Sequence, residues 1–301
     1  MKERDFPDKK PREYTFKDID EVLIRAREVQ DNFEIGQKEA TWQVHPEYGN
    51  LPISILLMTD THYGSMRSDT ELMNEHLQVV KDTPNFYMVH NGDNVDNFNV
   101  TLGKIADGMY ENPLPPQIIS RAWGEKLKEL DDVGKIGVLG FGNHDDFAFS
   151  AGQDWHDTFL STFKCPVFTT GGLLHILVGG QHYEMAMTHR HWGTSKLNPT
   201  NACKRFLEHE YPTANIAFLG HTHQSEGLQF ERGEIERVGV IGGTYKDNDT
   251  WARKQGIGGR SGSPGWVLTL WPDRKRMQLF RDVEVAQQFT TSLIFKEESK
   301  R

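Results

Sequence analysis

The sequence predicts an α/β fold in which two β-sheets face one another with helices on the outside. Two patterns carry this. Between residues 53 and 141, short apolar runs alternate with amphipathic stretches in the order strand, helix, strand, helix, strand, the rhythm of a parallel layer. Beyond residue 170 the rhythm changes to hairpins and antiparallel strands, which require a second sheet. Composition agrees: 301 residues, 37% apolar and 26% charged, can bury a sizeable core. These fractions exclude a mainly disordered, collagen-like or disulfide-scaffold chain. A division into two domains near residue 170 satisfies the same pattern.

The first 14 residues are charged and contain prolines, as expected of a loose arm. A capping box at Thr15 to Asp18 then opens an amphipathic helix through Phe16, Ile19, Val22, Leu23, Ala26 and Val29. Residues 38 to 45 alternate weakly and read as an edge strand, which closes an N-terminal segment 1–50. The domain proper is expected over 51–287. Ile53 to Met58 reads as a strand buried on both faces, and Ser68 to Glu71 as a second capping box before a helix ending near Lys81. Phe86 to His90 is the next strand. Residues 98 to 116 carry Gly103, Gly108, Pro113, Pro115 and Pro116 and read as a long, functional loop. A helix from about Gln117 to Leu130 leads to a strand at Ile136 to Phe141. Leu173 to Val178 and Gln181 to Met187 form a hairpin about Gly179 and Gly180, and a helix over 200–210 precedes a buried strand at Ile216 to Leu219. Antiparallel strands follow from Gly227, at Trp266 to Trp271 and at Met277 to Phe280. A polar tail is expected over 288–301.

A formal charge of −9 argues against a surface that holds nucleic acid or anionic lipid by bulk electrostatics, so any attraction for phosphate must be local. Cys165 and Cys203 lie far apart with no zinc-finger spacing, which fits reduced thiols and a cytoplasmic protein. No apolar run approaches the ~18 residues of a spanning helix, and no membrane partner is expected.

Thirteen histidines are unusual, and their positions are informative. Five polar clusters each follow one of the apolar strands: Asp60-Thr61-His62, Gly92 to Asp96, Gly142-Asn143-His144-Asp145, His189-Arg190-His191 and Gly220-His221-Thr222-His223. Singly, each is ordinary turn or packing chemistry. In α/β sheets, however, residues beyond the carboxyl ends of the strands converge, and converging Asp/His clusters need a counter-charge.

In order and spacing these clusters resemble the motifs of the calcineurin-like metallophosphoesterases, over roughly residues 51 to 245. The resemblance implies a four-layer αββα sandwich of two mixed sheets. It implies two divalent metal ions, one held by Asp60, His62, Asp93 and His223, the other by Asp93, Asn143, His189 and His221. Manganese is favoured by the resemblance; the mixed imidazole and oxygen donors fit Fe or Zn²⁺ as well. It also implies hydrolysis by a metal-bridging hydroxide, with His144 as general acid and Asp145 orienting its ring; the alternative for Asp145 is a turn cap. His191 is the alternative to His189 as a ligand. Asp96 reads as a helix cap, a brace for Asp93 or a substrate contact. Asn91, Asn94 and Asn97 read as turn formers, Tyr63, Trp155 and Trp192 as packing or base-stacking groups, and Arg190 as an exposed residue or a phosphate clamp.

Within the family, protein phosphatases carry Gly-Asp-x-x-Asp-Arg-Gly and Arg-Gly-Asn-His-Glu. Here Asn97-Phe98 replaces Arg-Gly, Phe141 stands at the Arg position and Asp145 replaces Glu. The Gly64 after Asp60-Thr61-His62-Tyr63 is more similar to double-strand-break repair nucleases and to phage-encoded metallophosphoesterases, and the layout looks most like the latter, which would act in a host cytoplasm. The expected activity is a phosphodiesterase acting on a nucleic-acid end or nucleotide-like diester. A phosphomonoesterase is the alternative, and a non-catalytic scaffold the third reading. The sequence does not set the oligomeric state.

Overall fold

The computed structural model describes residues 19–25, 38–97, 111–147, 161–192, 195, 197–233, 235–248, 253 and 264–300. Met1–Ile35 and Gly36–Arg301 are separate units. In the first, residues 19–25 are helical, within the helix expected there; Thr15, Phe16, Ala26 and Val29 lie outside the described residues.

In chain order the strands of the second unit are β1 (Glu39–Val44), β2 (Ile53–Met58), β3 (Phe86–Asn91), β4 (Ile136–Gly140), β5 (Val167–Phe168), β6 (Gly172–Val178), β7 (Gln181–Thr188), β8 (Ile216–Leu219), β9 (Glu226–Arg232), β10 (Ile235–Ile241), β11 (Trp266–Leu270) and β12 (Met277–Phe280). Its helices are α1 (Thr70–Asp82), α2 (Pro116–Asp132), α3 (Asn143–Asp146), α4 (Asn201–His209) and α5 (Val283–Glu298). Two six-stranded mixed sheets result, ordered β12-β11-β2-β3-β4-β5 and β1-β6-β7-β8-β10-β9. In the first, β2 to β5 run parallel, and β11 runs antiparallel to its two neighbours β2 and β12. In the second, β7, β8 and β10 run parallel.

The pleat distributes one apolar run to two cores, which is why Ile53 to Met58 shows no alternation. Ile53, Ile55 and Leu57 point between the sheets, against Tyr183, Met185, Ile216 and Phe218 of the other sheet. Leu56 and Met58 point outward onto Met73 and Leu77 of α1 and Trp123 and Leu127 of α2. The facing sheet carries small residues outward, Ala186 and Ala217, so α4 seats Cys203, Phe206 and Leu207 directly on the strands. Helices, sheet, sheet and helix make the expected αββα sandwich. Both halves of the chain share the core between the sheets, so a division near residue 170 does not hold.

Gly239 fixes how closely α4 approaches. A Cβ placed there would lie 2.6 Å from Cys203 Cβ, a distance that backbone shifts must relieve. Gly239→Ala is expected to destabilise the chain by about 1–3 kcal/mol through overpacking. An unchanged urea midpoint would show that α4 can shift outward freely.

The structure differs from the sequence reading in a few elements. The α1 cap is Asp69, whose carboxylate accepts from the Leu72 N–H, one residue later than expected. The Ser68 hydroxyl instead donates to the His62 carbonyl at 2.7 Å. The strand β5 was not expected; at two residues it leaves no periodic trace. The polar tail assigned from 288 is the second half of α5, capped by Asp282, with Val283, Ala286, Thr290 and Ile294 buried. Its buried stripe includes an alanine and a threonine, so the apolar period is weak; the Thr290 hydroxyl lies 2.8 Å from that of Ser54. Residue 38–45 strand propensity resolves as β1, the edge of the second sheet, parallel to β6. Of the expected loop, residues 98–110 lie outside the described residues, and α2 begins at Pro116.

Candidate metal centre

Strands β2, β3 and β4 of one sheet and β7, β8 and β10 of the other deliver their carboxyl ends to one edge of the sandwich. Asn91 ties the two sheets there, its amide donating to the carbonyls of Thr188 at 2.9 Å and Phe218 at 2.8 Å. Beyond β2 and β3 the chains stay paired: the N–H groups of Asp60, His62 and Tyr63 donate to the carbonyls of Gly92, Asp93 and Asn94, each at 3.0 Å. Rigid strands therefore set the positions of the side chains that follow them.

The backbone at this edge is strained. Asp60, His62, Asp93, His221 and His223 all adopt positive φ, between 44° and 70°. Each costs on the order of 1 kcal/mol in a non-glycine residue, so five together are a substantial fraction of a typical domain's ~5–15 kcal/mol. Such strain persists where surrounding structure over-determines it and clusters at functional sites. Gly92, at φ 87°, cannot be replaced as easily: a Cβ would stand 2.7 Å from His189 Nδ1.

Two groups of donors result, each with its ligand atoms within 4.8 Å of one another: Asp60, His62 and His223, and Asp93, His189 and His221. In the first, His223 Nε2 is 3.3 Å from Asp60 Oδ1 and 3.0 Å from His62 Nε2. In the second, His189 Nε2 is 3.1 Å from Asp93 Oδ2. The groups are adjacent, since His62 Nε2 also lies 3.7 Å from Asp93 Oδ2. Asn143 begins α3 beside them; its Oδ1 is buried with no hydrogen-bond partner among the described residues, an acceptor awaiting a cation or a donor. His191 is elsewhere, with Nε2 2.9 Å from Glu210 Oε1.

The outer hydrogen bonds aim Nε2 of the His62 and His189 rings inward. His62 Nδ1 faces Asp96 Oδ1 at 2.9 Å, and His189 Nδ1 faces the Asn91 carbonyl at 2.7 Å. Both partners only accept, so each ring carries its proton on Nδ1 and presents Nε2 to the centre, the arrangement of carboxylate- or carbonyl-braced metal ligands. Asp96 is expected to be a helix cap, a brace for Asp93 or a substrate contact. It is instead the brace of His62, and is itself held by Asn112 Nδ2 at 2.9 Å and by the buried Lys246 ammonium at 2.7 Å. The Asp96, His62 and His144 donors also lie together. A cation among them would meet the Lys246 charge. Sequence reasoning missed Lys246: it follows β10 after a Gly-Gly-Thr-Tyr segment with no histidine or acid to mark it.

His144 sits on the rim, its side chain 14% exposed. Its backbone N–H donates to Asp93 Oδ1 at 2.9 Å, and its Nδ1 to the Asp96 carbonyl at 2.7 Å. The expectation that Asp145 orients this ring is corrected. The Asp145 carboxylate accepts from the N–H groups of Gly142 at 2.8 Å and Asn94 at 3.0 Å and from Asn94 Nδ2 at 3.1 Å, so it braces the turn. Burial and the Asp93 charge push its carboxyl up to about 7. Asn94 also receives Trp123 Nε1 at 3.1 Å, and Tyr63 stacks on Trp123 with ring centroids 5.1 Å apart, so both belong to packing. Trp192 and Arg190 are exposed, and Trp155 lies outside the described residues.

The charge states suit a cation. Burial alone would raise the Asp60 carboxyl, but His189 and His223 outweigh it and hold it at about 2. Asp93 is likewise held well below the usual carboxylate range, because His189 and His144 outweigh its burial. Burial and the neighbouring His144 push His62 down to about 4, and burial pushes His221 down, so both are neutral imidazoles able to accept a cation. Burial opposes a charge on His189, yet Asp93 and Asp60 raise it to about 10. Without a metal, the two carboxylates thus take a proton onto His189. A metal ion must displace that proton, so affinity should fall on the order of tenfold per pH unit as pH is lowered. Calorimetric titration of the metal-free protein at pH 8 should give heats that depend on the buffer's ionisation enthalpy. Buffer-independent heats would refute proton displacement.

No helix among the described residues is long and apolar enough to cross a membrane. No curated protein matches the chain. Among solved structures, a Thermotoga maritima protein is 16% identical over 76% of this chain and 99% of its own, with a TM-score of 0.37. A predicted phosphoesterase of Streptococcus pneumoniae is 17% identical over 77% and 98%, with a TM-score of 0.30. Vps29 of Entamoeba histolytica, solved with Zn²⁺, is 9% identical over 76% and 98%, with a TM-score of 0.37. The calcineurin-like phosphoesterase family model matches residues 53–225, from the start of β2 to just past His223, and with that span covering more than half of its length the chain belongs to that family.

Proposed function

We propose that the chain is a metal-dependent phosphodiesterase acting on a nucleic-acid end or a nucleotide-like diester, with Asp60, His62, Asp93, Asn143, His189, His221 and His223 holding two divalent ions, manganese favoured. The observation that carries this is the meeting of two adjacent Asp/His groups, with Nε2 of His62 and His189 turned inward, beside His144. When bound, two divalent ions acidify the attacking water and face the phosphoryl oxygens; set against two carboxylates and a deprotonated nucleophile, they leave one net positive charge. That matches a singly charged diester better than a doubly charged monoester. Among the described residues, the buried Lys246 ammonium adds little to this charge, because it is paired with Asp96.

The chain's own groups then do three things. Asp96 and the Asn91 carbonyl hold the His62 and His189 rings in one tautomer. The Asp96 carbonyl fixes the proton of His144 on Nδ1, so Nε2 is the nitrogen that exchanges a proton with the leaving oxygen. Lys246 keeps Asp96 ionised, and with it the brace on His62.

A panel of single- and double-stranded DNA, RNA, cyclic nucleotides, bis-p-nitrophenyl phosphate and p-nitrophenyl phosphate, assayed with Mn²⁺, tests the assignment. Diesters should be turned over faster than monoesters. A preference for p-nitrophenyl phosphate would convert the assignment to a phosphomonoesterase, and no turnover of any member would leave a scaffold.

A further inference from the structure

A second set of metal-ligating side chains lies on the outer face of the β1-β6-β7 edge, away from the strand ends. His175 of β6 and His182 and Glu184 of β7 bring their donor atoms within 4.8 Å of one another. Strand alternation puts them on this face: Leu174, Ile176, Tyr183 and Met185, their neighbours in sequence, all point into the core between the sheets. His182 is seven residues from His189 along the chain, about 20 Å of extended strand, so these residues are not part of the centre described above.

We propose that His175, His182 and Glu184 form a separate site for one borderline divalent cation of the Zn²⁺ class. His175 Nδ1 and His182 Nε2 are 2.9 Å apart, and Glu184 Oε1 lies 3.8 Å from the first and 4.0 Å from the second. A tetrahedral Zn²⁺ with bonds of about 2.0–2.1 Å needs its nitrogens about 3.3 Å apart, so side-chain torsions alone can admit it.

Two further observations point to a ligand. His175 Nε2 faces the Glu39 carboxylate of β1 at 2.7 Å; a carboxylate only accepts, so Nε2 carries a proton and Nδ1 is the nitrogen turned to His182 and Glu184. This is the outer-carboxylate brace that metal-bound imidazoles use. Glu184 Oε2 is buried with no hydrogen-bond partner among the described residues, a cost that a cation or a donor would relieve. Two imidazoles and one carboxylate favour Zn²⁺ or Co²⁺ over Mg²⁺ or Ca²⁺, and with Glu39 the two carboxylates balance one dication. The three ligands leave the fourth position to water. The residues span three neighbouring strands, so the ion would clamp the edge strand β1 through Glu39 to the β6-β7 hairpin.

Zn²⁺ content of the metal-stripped full chain, after equilibration at micromolar free Zn²⁺, tests the site without reference to activity. His182→Ala and Glu184→Gln should each bind one equivalent fewer than the wild type, and Glu39→Gln should bind that equivalent at least about tenfold more weakly. The same equivalent should persist in Asp93→Asn, and Co²⁺ bound there should show the visible bands of a tetrahedral ion. Thermal midpoints of the metal-free variants, equal to that of the wild type, establish that they fold; a variant that fails this check is replaced by the other. Equal stoichiometry in the wild type and a folded His182→Ala or Glu184→Gln overturns the proposal, as does loss of the equivalent in Asp93→Asn.

Discussion

If the proposed centre holds, Asp93→Asn should lose its metal ions and at least about a thousandfold in kcat/KM toward a diester, while keeping its fold. The side chain stands between the two donor groups, with Oδ1 accepting from the His144 N–H at 2.9 Å and Oδ2 3.1 Å from His189 Nε2 and 3.7 Å from His62 Nε2. An amide can satisfy the His144 N–H only by turning its NH₂ toward His189 and His62. That places hydrogens where the two groups need a shared anion, and removes one of the two carboxylates that set the charge of the centre. Metal ions contribute several kcal/mol of transition-state stabilisation; a loss of about 4 kcal/mol is roughly a thousandfold. Because the amide keeps the His144 bond, α3 should stay in place, and far-UV dichroism should match the wild type. Metal analysis and kinetics together check this. A variant retaining two equivalents and full activity would move the chemistry away from this edge.

The sequence made the frame of this site legible because strand ends obey a simple rule. A run such as Ile53 to Met58 is apolar enough to identify, and the polar residues that follow it must lie at one edge of a sheet. What it did not disclose depends on side chains that meet across the fold. Lys246 is an ordinary lysine in sequence; the Tyr245 N–H and the Thr244 hydroxyl, both donating to the Asp60 carbonyl, bring its loop over Asp96. Asp145 looked like a partner for His144 by adjacency, yet a one-turn helix points consecutive side chains in different directions, and the carboxylate turns back to Gly142 and Asn94. The α5 helix was obscured because its buried stripe is partly hydroxyl and methyl: Thr290 bonds Ser54, which in turn lies 2.9 Å from the Thr269 hydroxyl. The His175, His182 and Glu184 group required cross-strand register, which sequence alone does not set; His175 and Glu184 are nine residues apart yet directly opposed.

His144→Ala should separate proton donation from metal binding. The substitution removes the imidazole but leaves the backbone N–H that Asp93 accepts, so the metal content of the strand-end centre should be unchanged. For a diester with an alkyl leaving group, kcat should fall about 10²–10⁴-fold, the range for loss of a positioned general acid. For bis-p-nitrophenyl phosphate the fall should be far smaller, because the nitrophenolate departs without a proton. The Asp96 carbonyl, 2.7 Å from Nδ1, accepts that nitrogen's proton, so Nε2 is the nitrogen left to serve the leaving oxygen. The ring also packs edge-on against His62, with centroids 4.6 Å apart, so some loss could reflect a displaced ligand. His144→Gln, which restores bulk but no titratable proton, distinguishes the two: recovery of the nitrophenyl rate without recovery of the alkyl rate is expected. Equal losses on both esters in both variants would make His144 a positioning residue for His62.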